Sequence, residues 1–343
     1  MIASSGRPFT RRDRTRREAE EAERLAPAAV RAADSRGRAR PEPPDEYRTA
    51  FERDRDRITH AKAFRRLKHK TQVFINPEGD HYVTRLTHTI QVTQIARALA
   101  AALSLNEPLA EAIALGHDVG HSPFGHTGEE ALSPYFPNGG WHHAAQSVRT
   151  FEVLEDLNLA WEVRDGIRAH TWKIQPPPET QEAFCVRYAD RIAYLTHDAL
   201  DALRAGLLTE EDLPVAVRER FGEPGRRWIG EMITAIVDHS LVAGQVRMDD
   251  ETLAVMHSLR DFMFERIYMG PVQQQHQREA IELIRRLMDH HLQHPDELPE
   301  SFRASDTDLV TQVADYVAGM TDRFAVATHE RLFGTPGIAD PAL

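Results

Sequence analysis

The chain has 343 residues, 41% hydrophobic and 28% charged, with a formal charge of −11. That length supports one large domain or two closely joined ones, and the acidity argues against bulk attraction to DNA or to a membrane. A single cysteine, Cys185, excludes a disulfide framework and a thiolate-rich zinc site; with no long apolar run and no apolar core of a signal peptide at the N-terminus, no membrane association and a cytoplasmic location are expected.

Residues 1–44 mix Arg with Glu and end on Pro41-Glu42-Pro43-Pro44. They read as a solvated, partly flexible arm with one helical piece and a stiff linker. Arg48, Arg53, Arg55 and Arg57 follow. Guanidinium groups suit phosphate, but surface pairing with neighbouring acids is as good a reading, and both stay open. Asn76-Pro77-Glu78-Gly79-Asp80 predicts a turn. From Arg85 a helix begins, with Val92, Ile95, Leu99 and Leu103 at helical spacing and His88 one turn ahead of Val92 on that stripe. Asn106 caps the next helix, with Pro108 in its first turn. Leu109, Ala112, Ile113 and Gly116 form its apolar face, and His117 continues it. Asp118 lies about 100° further round, so His117 and Asp118 reach one ion only near a helix end. The stretch from Gly120 to Pro123 supplies that end.

The loop after it carries His121, His126 and Glu129. Trp141 opens another helix, through His143 to Leu154. Nine of the eighteen histidines fall between residues 60 and 143, a clustering that scattered structural histidines would not produce. A helix is predicted over 161–174, stopped by Pro176-Pro177-Pro178, and another over 183–203. Its apolar face is Ile192, Leu195, Ala199 and Leu203, while Asp190, Tyr194, Asp198 and Asp201 form a ladder on another face. Beyond Gly206 further helices are expected over 213–220, 228–243, 253–268, 274–293 and 306–333. Strand alternation is nearly absent, so the fold class is all-α. The organisation expected is an arm (1–44), a catalytic core (45–206) and a helical region (207–343) that packs on the core and makes oligomer contacts. The histidines of that last region have no matching carboxylates in the sequence.

His88, His117, Asp118 and Asp190 supply two imidazoles and two carboxylates from three predicted helices. Such mixed N/O donors suit Mn²⁺, Fe²⁺, Co²⁺, Ni²⁺ or Mg²⁺. This H…HD…D pattern resembles the HD-domain metal phosphohydrolases. Three stretches narrow the likeness: RLTHT over 85–89, GHDVGHSPFGHTGE over 116–129, and ADRIAY over 189–194. Together they resemble the deoxynucleoside triphosphate triphosphohydrolases, the bacterial dGTPase-like group related to the eukaryotic SAM- and HD-domain dNTPases. The resemblance runs from about Tyr47 to Gly206 and extends to the residues from Asp315 to Phe324. It departs from the family pattern at Ala144, where many relatives carry Asn, and at Gln91, where Glu is common.

The resemblance implies an HD-type helical fold and a reaction. Water attacks the α-phosphorus of a dNTP, releasing the deoxynucleoside and intact triphosphate. It implies one divalent ion per site, with a second accompanying the substrate phosphates as an option. His126 and Glu129, three residues apart, read as an acid–base pair in which Glu129 favours the imidazolium. His126 is expected to give a proton to the departing 5′-oxygen, with base or nucleophile roles left open. By the same likeness His121 and His143 contact the phosphates and Arg191 is a phosphate ligand. Tyr194 excludes a 2′-hydroxyl, Asp198 bonds the sugar, and Gln72 and Arg85 touch substrate. It also implies a homo-oligomer, hexamer favoured, with dNTP effectors at subunit contacts. Other readings are an HD hydrolase for nucleoside monophosphates, cyclic dinucleotides or alarmones, and a non-catalytic regulator that senses nucleotides or binds single-stranded nucleic acid.

Overall fold

The computed structural model describes residues 9–72, 83–269, 271–303, 307–335 and 338. Among them the chain is helix after helix, with two isolated bridges and no strand. The turn expected over 76–80 lies outside the described residues. No described helix is long and apolar enough to cross a membrane.

The N-terminal half builds α1 (Arg14–Arg24), α2 (Ala50–His60), α3 (Arg85–Ala102), α4 (Glu107–Gly116), α5 (His126–Leu132), α6 (His143–Arg149), α7 (Trp161–Arg168) and α8 (Gln181–Arg204). Side-chain caps set the starts of the long ones. Thr84 accepts from the Thr87 amide, Asn106 from Leu109 and Thr180 from Ala183. The predicted stripe of α3 is buried: Val92 and Leu99 are wholly inaccessible and Ile95 nearly so. It packs α3 against α4 and α8, while α4 also packs on α2. Each large aliphatic side chain buried this way stabilises the fold by about 1.5–3 kcal/mol. The three helices expected to carry the metal ligands are therefore mutual neighbours.

The C-terminal half adds α9 (Val215–Phe221), α10 (Arg226–Ala243), α11 (Asp250–Met263), α12 (Pro271–Gln293), α13 (Leu309–Ala318) and α14 (Asp322–Phe333). Two apolar clusters hold the molecule together, and neither divides at residue 206. Leu208, Val217, Trp228 and Met256 share one cluster with Val92 and Ile192. Phe124 and Leu132 share the other with Leu287 and Val317.

Several elements differ from the sequence expectation. The helix over 161–174 stops at Arg168, because the His170 ring turns back to the Ile167 carbonyl. The helix over 306–333 is two helices, because Thr321 caps α14 by accepting from the Phe324 amide. The α-helical part of 253–268 ends at Met263 and continues as a π-helical turn, Phe264–Tyr268.

Residues 9–44 are not a free arm. The Val30 amide donates to Glu182 at 3.0 Å, the Ala32 amide to Glu21 at 2.7 Å and the Arg36 amide to Glu162 at 2.6 Å. Arg38 pairs with the inaccessible Asp54 at 2.5 Å. The open question about the next arginines is answered by acids: Arg48 pairs with Asp45, Arg53 and Arg57 with Glu42, and Arg55 with Asp56.

Glu182 is the pivot of this docking. Its Oε1 also accepts from the Asn106 amide at 3.0 Å, so it ties the N-terminal segment to the cap of α4. Burial pushes its carboxyl up to about 7, against the two amide bonds that favour the anion. A carboxyl whose pKa rises on folding contributes stability that is complete below its unfolded value. That contribution is lost as pH rises through the folded value. Wild-type stability is therefore expected to fall by about 1–3 kcal/mol between pH 5 and 8 relative to Glu182→Gln. Denaturant unfolding of both proteins across that range checks it; parallel curves would remove Glu182 as the cause.

Candidate active site

His88 projects from the first turn of α3, His117 caps the end of α4, Asp118 follows it, and Asp190 comes from the middle of α8. Their donor atoms converge. His88 Nε2 lies 3.1 Å from Asp190 Oδ1 and 4.0 Å from Asp118 Oδ2. His117 Nε2 lies 3.5 Å from Asp118 Oδ1 and 3.8 Å from Asp190 Oδ1. Donors about 2 Å from a common centre stand roughly 3–4 Å apart; one donor atom each from His88, His117 and Asp118 lies within 4.8 Å of the others, a spacing that could hold an ion, and Asp190 adjoins both imidazoles. A second observation agrees. His117 Nδ1 is 2.7 Å from the Ala114 carbonyl, which can only accept, so Nδ1 carries the proton and Nε2 the lone pair. That Nε2 is buried with no hydrogen-bond partner, as a metal ligand's free nitrogen should be.

Arg85 holds this centre from behind. Expected as a substrate contact, it sits at this centre, and its buried guanidinium donates to Asp118 Oδ2 at 2.7 Å. Burial opposes ionisation of Asp118, but the neighbouring imidazoles and the Arg85 guanidinium outweigh it and hold the carboxyl well below the usual carboxylate range. Burial also opposes ionisation of Asp190. The His88 hydrogen bond and the neighbouring imidazoles prevail and bring it to about 2. Both carboxylates are thus anionic at neutral pH.

A second cluster adjoins the first. The sequence reading placed His126 and Glu129 in a loop; they occupy the first turn of α5, which sets them on one face. Glu129 Oε2 lies 3.1 Å from His126 Nδ1 and 3.0 Å from His143 Nδ1. Burial disfavours its charge, yet these two hydrogen bonds dominate and push its carboxyl far down. The His143 ring stacks on His121 at 3.9 Å, and its Nε2 meets His170 Nε2 at 3.2 Å. His170 Nδ1 faces the Ile167 carbonyl, so its Nε2 is an acceptor. Both His143 nitrogens therefore face acceptors, an arrangement satisfied by the two protons of an imidazolium. Burial pushes the His121 imidazole well below its ordinary range, leaving it neutral 3.4 Å from Asp118. His126 alone is open to solvent, with its side chain 76% exposed.

The loop between α4 and α5 is held tightly. A Cβ on Gly120 would sit 2.1 Å from the Ser147 amide nitrogen, so only glycine lets this loop press on α6. Phe124 (φ 60) and Gly125 (φ 59) both take left-handed backbone. The C-terminal helices fix that bend. Asp322 Oδ1 accepts from the Phe124 amide at 3.0 Å and Oδ2 from the Thr71 amide at 2.8 Å. Lys70, buried, bridges the Ala318 and His121 carbonyls. Asp315, also buried, receives Gln146 and Arg149 of α6.

The remaining expected residues line α8 and its surroundings. Arg191 Nη1 contacts His257 Nε2 at 2.9 Å, and its guanidinium lies 4.0 Å from the centre of the Trp172 ring. Tyr194 is part-buried one turn beyond Asp190. Asp198 accepts from the Tyr268 hydroxyl at 2.6 Å, and burial brings its carboxyl up to about 7 despite that bond. Gln72 lies beside Arg85, its backbone carbonyl 3.4 Å from Arg85 Nη2 and its side-chain oxygen buried without a partner among the described residues.

Sequence reasoning missed His170, Trp172, His257 and Tyr268. It also assigned the C-terminal half to packing and oligomer surface, whereas that half supplies His257, Tyr268 and Asp322 to this site. The expectation that the C-terminal histidines lack carboxylate partners fails at His290, whose Nε2 is 2.9 Å from Glu297 Oε2. Sequence distance hid the long-range partners: His257 lies 66 residues from Arg191 and Tyr268 lies 70 from Asp198.

Comparison with known proteins fits this geometry. The HD domain family matches residues 85–195, and a phosphohydrolase-associated domain matches residues 246–331. A deoxyguanosinetriphosphate triphosphohydrolase-like protein of Caldanaerobacter subterraneus subsp. tengcongensis is 46% identical over 315 residues, covering 90% of this chain and 92% of its own. Proteins of the same description from Desulfatibacillum aliphaticivorans and Cereibacter sphaeroides are 43% and 39% identical, covering 90% of this chain and 94% and 100% of theirs. The crystal structure of a hypothetical protein from Aquifex aeolicus superposes with a TM-score of 0.51 at 19% identity, over 82% of this chain and 71% of that one, a likeness of fold alone.

Proposed function

The chain belongs to the deoxyguanosinetriphosphate triphosphohydrolase-like family of HD-domain phosphohydrolases, and from that membership we propose that it cleaves dNTPs to deoxynucleoside and inorganic triphosphate. The observation that supports the reading is the junction of two clusters: His88, His117 and Asp118, with Asp190 against both imidazoles, beside a His–Glu–His group. When bound, a divalent ion held by His88, His117, Asp118 and Asp190 would neutralise charge on the α-phosphate and make a water acidic. Everything else falls to side chains. Glu129, anionic, holds the rings of His126 and His143 in fixed orientations through one oxygen. The contact leaves the Nε2 of the exposed His126 ring free to carry a proton. A new bond forms from water oxygen to the α-phosphorus, the bond from phosphorus to the 5′-oxygen breaks and His126 gives that oxygen its proton, while the attacking water releases its own proton to solvent, from which the exposed His126 is reprotonated. His121 and His143 border the phosphates, and Arg191, stiffened on Trp172, binds their charge. Tyr194 packs against the sugar where a 2′-hydroxyl would stand. Asp198 and Gln72 complete the sugar side. Arg85 positions Asp118.

We also propose assembly into a homo-oligomer, hexamer favoured, with dNTP effectors. Leu241 and Val242, exposed side by side at the end of α10, offer apolar surface suited to it. The test of the activity is product analysis with each dNTP and NTP, alone and in pairs, in Mg²⁺, Mn²⁺ and Co²⁺. Deoxynucleoside plus triphosphate, from dNTPs in preference to NTPs, is the expected result. Pyrophosphate as the product, or equal cleavage of ribonucleotides, would overturn the reading in favour of another HD hydrolase. Binding without turnover would favour a nucleotide sensor.

A further inference from the structure

Far along the chain from the catalytic clusters, the last turn of α12 and the 3₁₀ turn after it, Pro295–Glu297, gather a third group of donors. His290 Nε2 stands 2.9 Å from Glu297 Oε2. One donor atom each from His290, His291 and Glu297 all lie within 4.8 Å of one another. His291 is 2% exposed, and neither of its ring nitrogens has a hydrogen-bond partner among the described residues. A buried imidazole with both nitrogens unanswered is uncommon, and in the absence of a partner it loses the hydration both atoms had in the unfolded chain. Its surroundings give no such partner: the Tyr316 ring meets it edge-on at 5.2 Å and the His290 ring at 5.2 Å. His294 stacks on His290 at 4.6 Å, with Nδ1 3.0 Å from the His290 carbonyl, so its Nε2 carries a lone pair.

We propose that His290, His291 and Glu297 form a second divalent-cation site, separate from the HD centre and structural in role. Adjacent ligands at a helix end, which diverge by about 100° along a helix, are already used once in this protein by His117 and Asp118. Two imidazoles and one carboxylate select borderline ions such as Zn²⁺, Co²⁺ or Ni²⁺ over Mg²⁺. Glu297, half exposed, gives the ion a route in from solvent. Binding replaces the proton shared by His290 and Glu297 and satisfies one orphaned nitrogen of His291. The ion would fasten the end of α12 to the turn that follows. Since α12 packs on α5, α13 and α14, it would stiffen the layer that holds Glu129 and Asp322 in place.

The test counts metal, so it does not depend on which substrate is cleaved. Chelator-stripped protein titrated with Co²⁺ is expected to bind about two equivalents per chain, and Glu297→Gln and His290→Ala about one each. Zn²⁺ is expected to raise the thermal midpoint of wild type more than that of either variant. Both substitutions are at partly exposed side chains, and unchanged Mn²⁺-supported hydrolysis reports that the HD centre is intact. Equal metal content in wild type and Glu297→Gln, or a single equivalent in wild type, overturns the proposal.

Discussion

Asp118→Ala is expected to abolish metal binding at the HD centre and to lower turnover by about 10³-fold or more. Two separate losses combine in it. The first is chemical: the carboxylate is 3.5 Å from His117 Nε2 and 4.0 Å from His88 Nε2, so its removal takes an anionic donor out of the set. The second is electrostatic. Arg85 is 1% exposed and its guanidinium is paired at 2.7 Å with Asp118, so alanine leaves a buried cation without its counter-charge. Breaking such a pair costs about 3–5 kcal/mol. The two parts separate in a double variant. Arg85→Met with Asp118→Ala is expected to recover much of the lost stability in denaturant unfolding while recovering no turnover. Manganese titration, hydrolysis and unfolding of the single and double variants check this. Normal manganese affinity in Asp118→Ala would remove Asp118 from the ligand set, and equal stabilities of wild type and Asp118→Ala would remove Arg85 as its partner.

The helices that carry the ligands were legible because each has a local signature. Val92, Ile95 and Leu99 mark the buried stripe of α3, and Asn106 with Pro108 marks the start of α4. His88 and His117 sit on those stripes, which is why packing the two helices brings the two rings within 5.6 Å of one another. His170 has no such mark. It acts only because its ring ends α7 early and turns toward His143, a contact between residues 27 apart in sequence. The docking of residues 9–44 was hidden for a similar reason. Their charges resemble a solvated tail, and the acids that fix them, Glu162 and Glu182, lie more than a hundred residues away. The pairing of Arg85 with Asp118 was hidden because the motif shows a cation but not what it faces. The clamp by Asp315 and Asp322 depends on two helices whose break at Gly319 was read as continuous helix. In each case short-range pattern gave the element, and long-range pairing decided its task.

His126→Ala is the sharper test of the chemistry, because it should spare nearly everything else. The ring is the exposed member of its cluster, and its one hydrogen bond is to Glu129, which keeps His143 as a partner. Metal binding, substrate affinity and unfolding midpoint are therefore expected to stay close to wild type. Turnover is expected to fall by about 10²–10⁴-fold, the range for a lost proton donor. Glu129→Gln should act differently, since one oxygen orients both rings, and it should disturb binding along with turnover. The direction of proton transfer is settled with a dNTP analogue carrying sulfur at the bridging 5′ position. A thiolate departs without protonation, its conjugate acid having a pKa of about 8.5. With that substrate His126→Ala should approach the wild-type rate, because the step the imidazole assists is no longer needed. A defect of undiminished size would mean that His126 acts on the attacking water or on phosphorus itself, and Glu129 would then be steering a base or a nucleophile.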